Sequence, residues 1–230
     1  MIKKVLIITA GIALLFCSCS EDEESITAKY RPLAAGNEWK TAESYEWDIS
    51  GFTNGSSTST TEYSVDSLET RDDGKQVWPV THTTYAEGVD TLPVIEYYHV
   101  TEDSVSIYLT KDAEEPSMVE PNNLAVNMEW DGQLSIPVNV EGLTLSNLPS
   151  HFKVVGTESV TVTAGTFNTF VIRVDIDYGG ETIDSALTEW RAENVGRVKM
   201  DTDFITSITI FTQTYDAHIT GTSELTEKNW

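Results

Sequence analysis

The side chains able to do chemistry are few and scattered. The four histidines, His82, His99, His151 and His218, stand apart, and no two have the spacing of a metal-binding helix or hairpin. The two cysteines, Cys17 and Cys19, sit two positions apart at the end of an apolar run, with no third cysteine to pair with. No Gly-x-Ser-x-Gly elbow and no glycine-rich phosphate loop occurs. Carboxylates abound, with 37 acidic residues against 14 basic ones. A retaining glycosidase needs two carboxyls about 5 Å apart, a distance only the fold can set. Among so many acids, some close pair is expected by chance. The run Asp175 to Asp184, DIDYGGETID, lacks the regular oxygen spacing of a calcium loop, and Ile176 and Tyr178 in it fit strand alternation instead. The expectation is a non-catalytic protein with no metal and no cofactor. A formal charge of −23 repels phosphate, so nucleic acid is not an expected partner.

The cysteines give an address. Lys3 and Lys4 precede an almost unbroken apolar run from Val5 to Phe16. That run is short of the ~20 residues that span a bilayer and has the form of a secretory signal. The stretch LFCSCS resembles a bacterial lipobox, in which a small residue precedes a cysteine that is lipidated and becomes the new N-terminus. Cys19 follows Ser18, whereas Cys17 follows bulky Phe16, so Cys19 is the expected lipidation site. Phe16 stands where the pattern usually has leucine. Residues 1–18 are then a signal peptide and 19–29 an acidic lipidated tether. The acids Glu21 to Glu24 suit a solvated spacer, because like charges repel. They also resemble the surface-export signal of Bacteroidetes-type lipoproteins. The two readings are compatible. Cleavage before Cys19 leaves no thiol free, so stability must come from a packed core rather than a disulfide.

Positioning in the remainder falls to strands. In 169–178, Phe170, Ile172, Val174, Ile176 and Tyr178 share one face, opposite Thr169, Val171, Arg173, Asp175 and Asp177. Tyr45, Trp47 and Ile49 alternate with Glu46, Asp48 and Ser50. Leu134, Ile136, Val138 and Val140 do so in 134–140, and Val105, Ile107 and Leu109 in the next case. Val198, Met200, Thr202 and Phe204 oppose Arg197, Lys199, Asp201 and Asp203. One apolar and one charged face marks an antiparallel sheet. Turns are expected at Asp72–Gly74, Asp131–Gly132, Ala164–Gly165, Gly179–Gly180 and Asn194–Gly196. Residues 30–230 therefore read as a single all-β domain. It would be one strongly curved antiparallel sheet or barrel of roughly ten to twelve strands. Residues 111–131 interrupt the pattern and predict a crossing loop with at most one short helix.

Three stretches carry a family resemblance. YRPLAAGNEWK (30–40), ESVTVTAGTFNTFVI (158–172) and EWRAENVGRVK (189–199) occur in order behind the lipobox. Together they resemble a broad group of Bacteroidetes-type lipoproteins. Thr163 replaces a proline of that pattern, and Arg191 an aromatic. Trp39, Phe167 and Trp190 of these stretches are expected to supply core bulk. Such proteins are similar to lipocalin-like and lipoprotein-carrier folds, in which a curved sheet wraps an apolar cavity. The resemblance implies a lipid-anchored outer-membrane protein at the cell surface, or else facing the periplasm. The expected function is a binding or carrier module for a hydrophobic or glycan ligand, with the apolar sheet face lining a cavity. The alternative is a structural or interaction lipoprotein with no ligand cavity. The triplets Asp66-Ser67-Leu68, Asp90-Thr91-Leu92, Asp103-Ser104-Val105 and Asp184-Ser185-Ala186 resemble acceptors of Bacteroidetes-type O-glycosylation. Ser67, Thr91, Ser104 and Ser185 are then the candidate hydroxyls. The same triplets also suit ordinary turn-to-strand junctions.

Overall fold

The computed structural model describes residues 26–86, 92–140, 143–178, 180–210 and 212–230. Cys19 and Thr91 lie outside them, as do the 1–18 segment and most of the 19–29 tether. The strands are β1 Glu38–Ile49, β2 Thr53–Val65, β3 Glu69–Thr70, β4 Gln76–Ala86, β5 Val94–Val100, β6 Ser104–Tyr108 and β7 Met118–Pro121. They continue with β8 Glu129–Val140, β9 Leu143–Val162, β10 Gly165–Tyr178, β11 Glu181–Ala192, β12 Gly196–Ile210 and β13 Gln213–Lys228. Among the described residues there is no helix. Twelve strands form one path, β7-β6-β5-β4-β2-β1-β13-β12-β11-β10-β9-β8, with β3 paired to the side of β4. Neighbours are antiparallel throughout.

The end strands of that path, β7 and β8, are consecutive in sequence and touch, so the sheet nearly closes into a barrel. This is the all-β curved sheet that the alternation predicts. The stretch 111–131 differs from expectation. It contains β7 and runs into β8, without a helix. Pro137 falls in β8, an end strand, where a missing N–H is tolerated.

The inward faces follow the sequence pattern where strands are regular. Ile172, Val174 and Ile176 of β10 are buried with Phe152, Leu187 and Ile219 in the largest core cluster. Phe170 and Tyr178 pack at its margin. Of the 134–140 run, Leu134 packs on this cluster and Ile136 is buried in it, while the side chains of Val138 and Val140 lie outside the description. A second cluster joins Val65, Val80, Tyr98, Val105 and Ile107. A third forms where the β9–β10 tip packs Val162, Ala164 and Phe167 on Val198, Leu225 and Trp39.

Four expectations fail, each for a local reason. Strand β6 ends at Tyr108, which is buried, and Leu109 is exposed. Asp131–Gly132 is no turn but lies inside β8; a Cβ on Gly132 would sit 3.1 Å from the Phe152 ring, which stacks on Trp130. Trp190 is not core. It lies on the outer face, donates to Glu158, and has Lys199 over its ring. Arg197 does not share the face of Lys199. The ladder pairs Trp190 with Lys199 but Arg191 with Arg197, leaving Val198 as an extra residue. That bulge brings Arg197 round to the face of Arg191.

Ahead of β1, residues 27–37 strap the barrel end. Asn122 holds the strap twice, accepting from Lys29 N at 2.8 Å and donating to the Thr27 carbonyl at 3.1 Å. Asn194 N donates to the Lys29 carbonyl. Ala28 and Leu33 are buried in the second cluster, while Tyr30 is buried in the first and meets Phe170 edge-on at 5.8 Å. Gly196 has φ +92 and passes the strap closely: a Cβ there would lie 3.3 Å from the Tyr30 carbonyl oxygen. The Tyr-x-Pro-Leu motif is thus a packed strap.

Candidate functional site

A buried charge bridge lies beneath the strap. Glu120 of β7 is 3 % exposed and accepts from Arg31 Nε at 2.6 Å and from Arg191 Nη1 at 2.7 Å. Arg191 Nη2 donates to Glu189 Oε2 at 3.0 Å, with both residues buried on β11. Burial alone would raise the Glu120 carboxyl. The Arg191 and Arg31 guanidiniums outweigh it and hold the carboxyl down at about 2. Each charge is matched by an opposite one, and no group is left as a nucleophile or proton donor. The bridge ties strap, β7 and β11 together and is structural.

Next to it the interior is polar. Cross-strand rows run Ser59–Glu43–Ser223–Met200–Glu189 and Ser57–Tyr45–Gly221–Thr202–Leu187. The β13 members, Ser223 and Gly221, are small. Only glycine fits at 221, because a Cβ would fall 2.2 Å from Tyr45 Cδ1. The Tyr45 ring therefore lies across β13 and turns its hydroxyl toward Thr202. Burial pushes the Tyr45 phenol well up, and Glu43 adds to this, so it stays neutral. Tyr45 faces the Thr202 hydroxyl and Tyr63 the Thr41 hydroxyl, each pair short of hydrogen-bond geometry. Ser59 donates to Glu43 at 3.0 Å. Arg197 looks onto Glu189, Tyr63, Glu43 and Tyr45.

The outer face of β13, β1, β2 and β4 carries two depressions in line. One, of about 650 Å³, includes Ala42, Thr60, Tyr85 and Glu224; the other, of about 350 Å³, includes Lys40, Glu62, Thr83 and Glu227. They adjoin because Ala42–Thr60–Tyr85 and Lys40–Glu62–Thr83 are successive same-face rows. Both volumes are in the range of ligand sites. Lys40 reaches Glu62 at 3.2 Å and Glu227 at 3.1 Å. Tyr85 is 51 % exposed. A long groove of hydroxyls and carboxylates results, with one bare aromatic ring.

The hydroxyls singled out in the sequence are dispersed. Ser67 and Ser185 are exposed. Ser185 sits in a β11 bulge with φ 54, its N–H donating to Asp175. Ser104 is half-buried, and its hydroxyl bonds that of Thr101 at 3.0 Å. The Asp175–Asp184 run is the β10–β11 hairpin. His151 is half-buried and faces Asp131 at 2.8 Å and Glu129 at 3.7 Å, and His218 is exposed and faces Asp203 at 2.8 Å. His82 stacks on Tyr63, and His99 bonds the Gln76 carbonyl. Sequence reasoning missed Glu43, Glu120 and Glu189 as interior residues. The one available signal was Arg191, a charge where the resembled pattern has an aromatic.

Residues 149–202, from β9 into β12, match the DUF3108-like family. No curated protein matches the chain. The fold is similar to that of a predicted lipoprotein from Parabacteroides distasonis, with 16 % identity, TM-score 0.49, and coverage of 88 % of this chain and 99 % of that one. It is also similar to a predicted exported protein of YmcC-like fold from Bacteroides fragilis, with 15 % identity, TM-score 0.47, and 89 % and 100 % coverage. A DUF1329 family protein from Desulfovibrio piger matches at 11 % identity and TM-score 0.28, over 86 % of each chain.

Proposed function

We propose that this chain is a cell-envelope lipoprotein, anchored through Cys19, whose β domain binds a glycan chain without catalysis. The groove along β13, β1, β2 and β4 carries this reading. From Glu38 to Ser44 it follows β1 for about 20 Å at ~3.4 Å per residue. Its hydroxyls and carboxylates can accept and donate to sugar hydroxyls, and Tyr85 offers an apolar face to a ring. The lining carboxylates outnumber the cations, which favours a neutral polysaccharide over an anionic one. The hydrophobic-cargo alternative has less support, because the inward apolar side chains pack on one another in three clusters.

Affinity electrophoresis of the purified protein through gels holding neutral glucan, mannan or xylan tests the groove. Retardation by at least one is expected, with about tenfold weaker retention for Tyr85→Ala, equivalent to ~1.4 kcal/mol. Mobility unchanged in all three polysaccharides would leave the accessory-protein alternative. Anchoring has its own test. Cys19→Ala should move the protein out of the membrane fraction, since acyl chains hold at ~0.8 kcal/mol per buried CH₂. Release by Cys17→Ala instead would put the lipid on Cys17.

A further inference from the structure

We infer that the Lys40 end of the outer groove reads a pair of adjacent free hydroxyls on a neutral sugar ring, with Glu62 and Glu227 taking one hydroxyl each and Lys40 between them. This rests on the groove reading above and narrows it to chains whose rings keep a vicinal diol.

The two depressions differ in charge. The larger is lined by hydroxyls, carboxylates and Tyr85, with no lysine or arginine. The smaller holds Lys40, with Glu62 at 3.2 Å and Glu227 at 3.1 Å. The backbone sets this trio. Glu227, Lys40, Glu62 and Thr83 oppose one another on β13, β1, β2 and β4, in one row across the groove. Glu224 and Glu227 are three apart on β13, so a regular strand would turn them to opposite faces. A bulge intervenes: Lys40 pairs with Glu227 but Thr41 with Leu225, leaving Thr226 as an extra residue. Both carboxylates thereby come round to the groove, Glu224 in the larger depression and Glu227 in the smaller.

The chemistry of the trio selects the ligand. An ammonium has three N–H donors, and a carboxylate only accepts. Glu227 and Glu62 engage two donors of Lys40, and their hydrogen bonds raise its pKa above the ordinary lysine value. The third donor is left for a ligand. One hydroxyl can donate to Glu62 and its neighbour to Glu227, while both oxygens accept from the remaining N–H. An isolated hydroxyl meets only one carboxylate. An anionic group would meet Glu38 as well as the pair, and a cationic group would face Lys40. Ser64, Thr81 and Thr83 line the same depression and can donate or accept elsewhere on the ring.

The test is affinity electrophoresis of the purified chain through graded xylan, glucomannan and laminarin. Main-chain rings of xylan and glucomannan keep two adjacent free hydroxyls. Those of laminarin are linked through the hydroxyl between the free ones, so none are adjacent. Wild type should be held about tenfold more tightly by xylan or glucomannan than by laminarin, the worth of one hydrogen bond to a charged group. Lys40→Met and Glu227→Ala should each erase that preference, whereas Tyr85→Ala should weaken retention without changing it. Exposed ion pairs contribute little to stability, so both variants should keep the wild-type unfolding midpoint, and a lost preference is then not a lost fold. Equal retention by laminarin, or a preference that survives both variants, overturns the inference and leaves the groove reading standing. Failure of all three chains to retard the protein overturns both.

Discussion

Replacing Glu120 with alanine should destabilise the fold by about 3–5 kcal/mol, the usual cost of removing one member of a buried ion group. Arg31 and Arg191 would be left under the strap, with Glu189 bonded to only one of them. Denaturant midpoints for Glu120→Ala, Arg31→Ala and the double variant would measure this. The double variant should lose less than the sum of the two, because the first change already breaks their shared bond. Additive losses would mean that Glu120 and Arg31 do not work together. The same carboxylate sets an acid limit. Its folded pKa, about 2, lies below its ordinary 4.5. Its contribution is therefore present at neutral pH and fades as pH falls from about 4.5 toward 2. Glu120→Gln should flatten the stability profile across that window.

Ile172→Ala should cost about 2–5 kcal/mol, as a large-to-small change in the core. Ile172 is 0 % exposed and packs among Val154, Leu187 and their neighbours. Its strand neighbour Arg173 faces solvent, and Arg173→Ala should cost roughly 0.5 kcal/mol or less. The reverse order of unfolding midpoints would put the other face of β10 in the core.

Much of the fold was legible in the sequence. Alternation alone identified the buried residues of β10 and the inward Tyr45, Trp47 and Ile49 of β1, because a regular strand turns every second side chain to one face. It failed at irregularities. The extra Val198 moved Arg197 to the inner side, and nothing in VGRVKM marks a bulge. Interior charge was less legible still. Glu189 and Arg191 occupy inward positions two apart, so a search for apolar alternation passes over them. Their partner Glu120 lies 71 residues from Arg191 and 89 from Arg31, and only the closed sheet brings the three together. The outer groove was illegible for the same reason. Its walls come from both ends of the chain, β1 with β2 and β4 on one side and β13 on the other.

The order of strands around the barrel also bears on how the chain folds. Every ladder along the main path except one joins strands close in sequence, so most of the sheet can form from local hairpins. The exception is β1 with β13, closed off by Glu38 N–H donating to Asn229 across 191 residues. That ladder must bear the loop-closure entropy of nearly the whole domain. As the chain is synthesised N-terminus first, β1 has β2 on one side and an unpaired edge on the other until β13 arrives. The long polar stretch of β1 and β2, rich in Ser, Thr and Glu, suits a strand edge that must wait in water without seeking another chain.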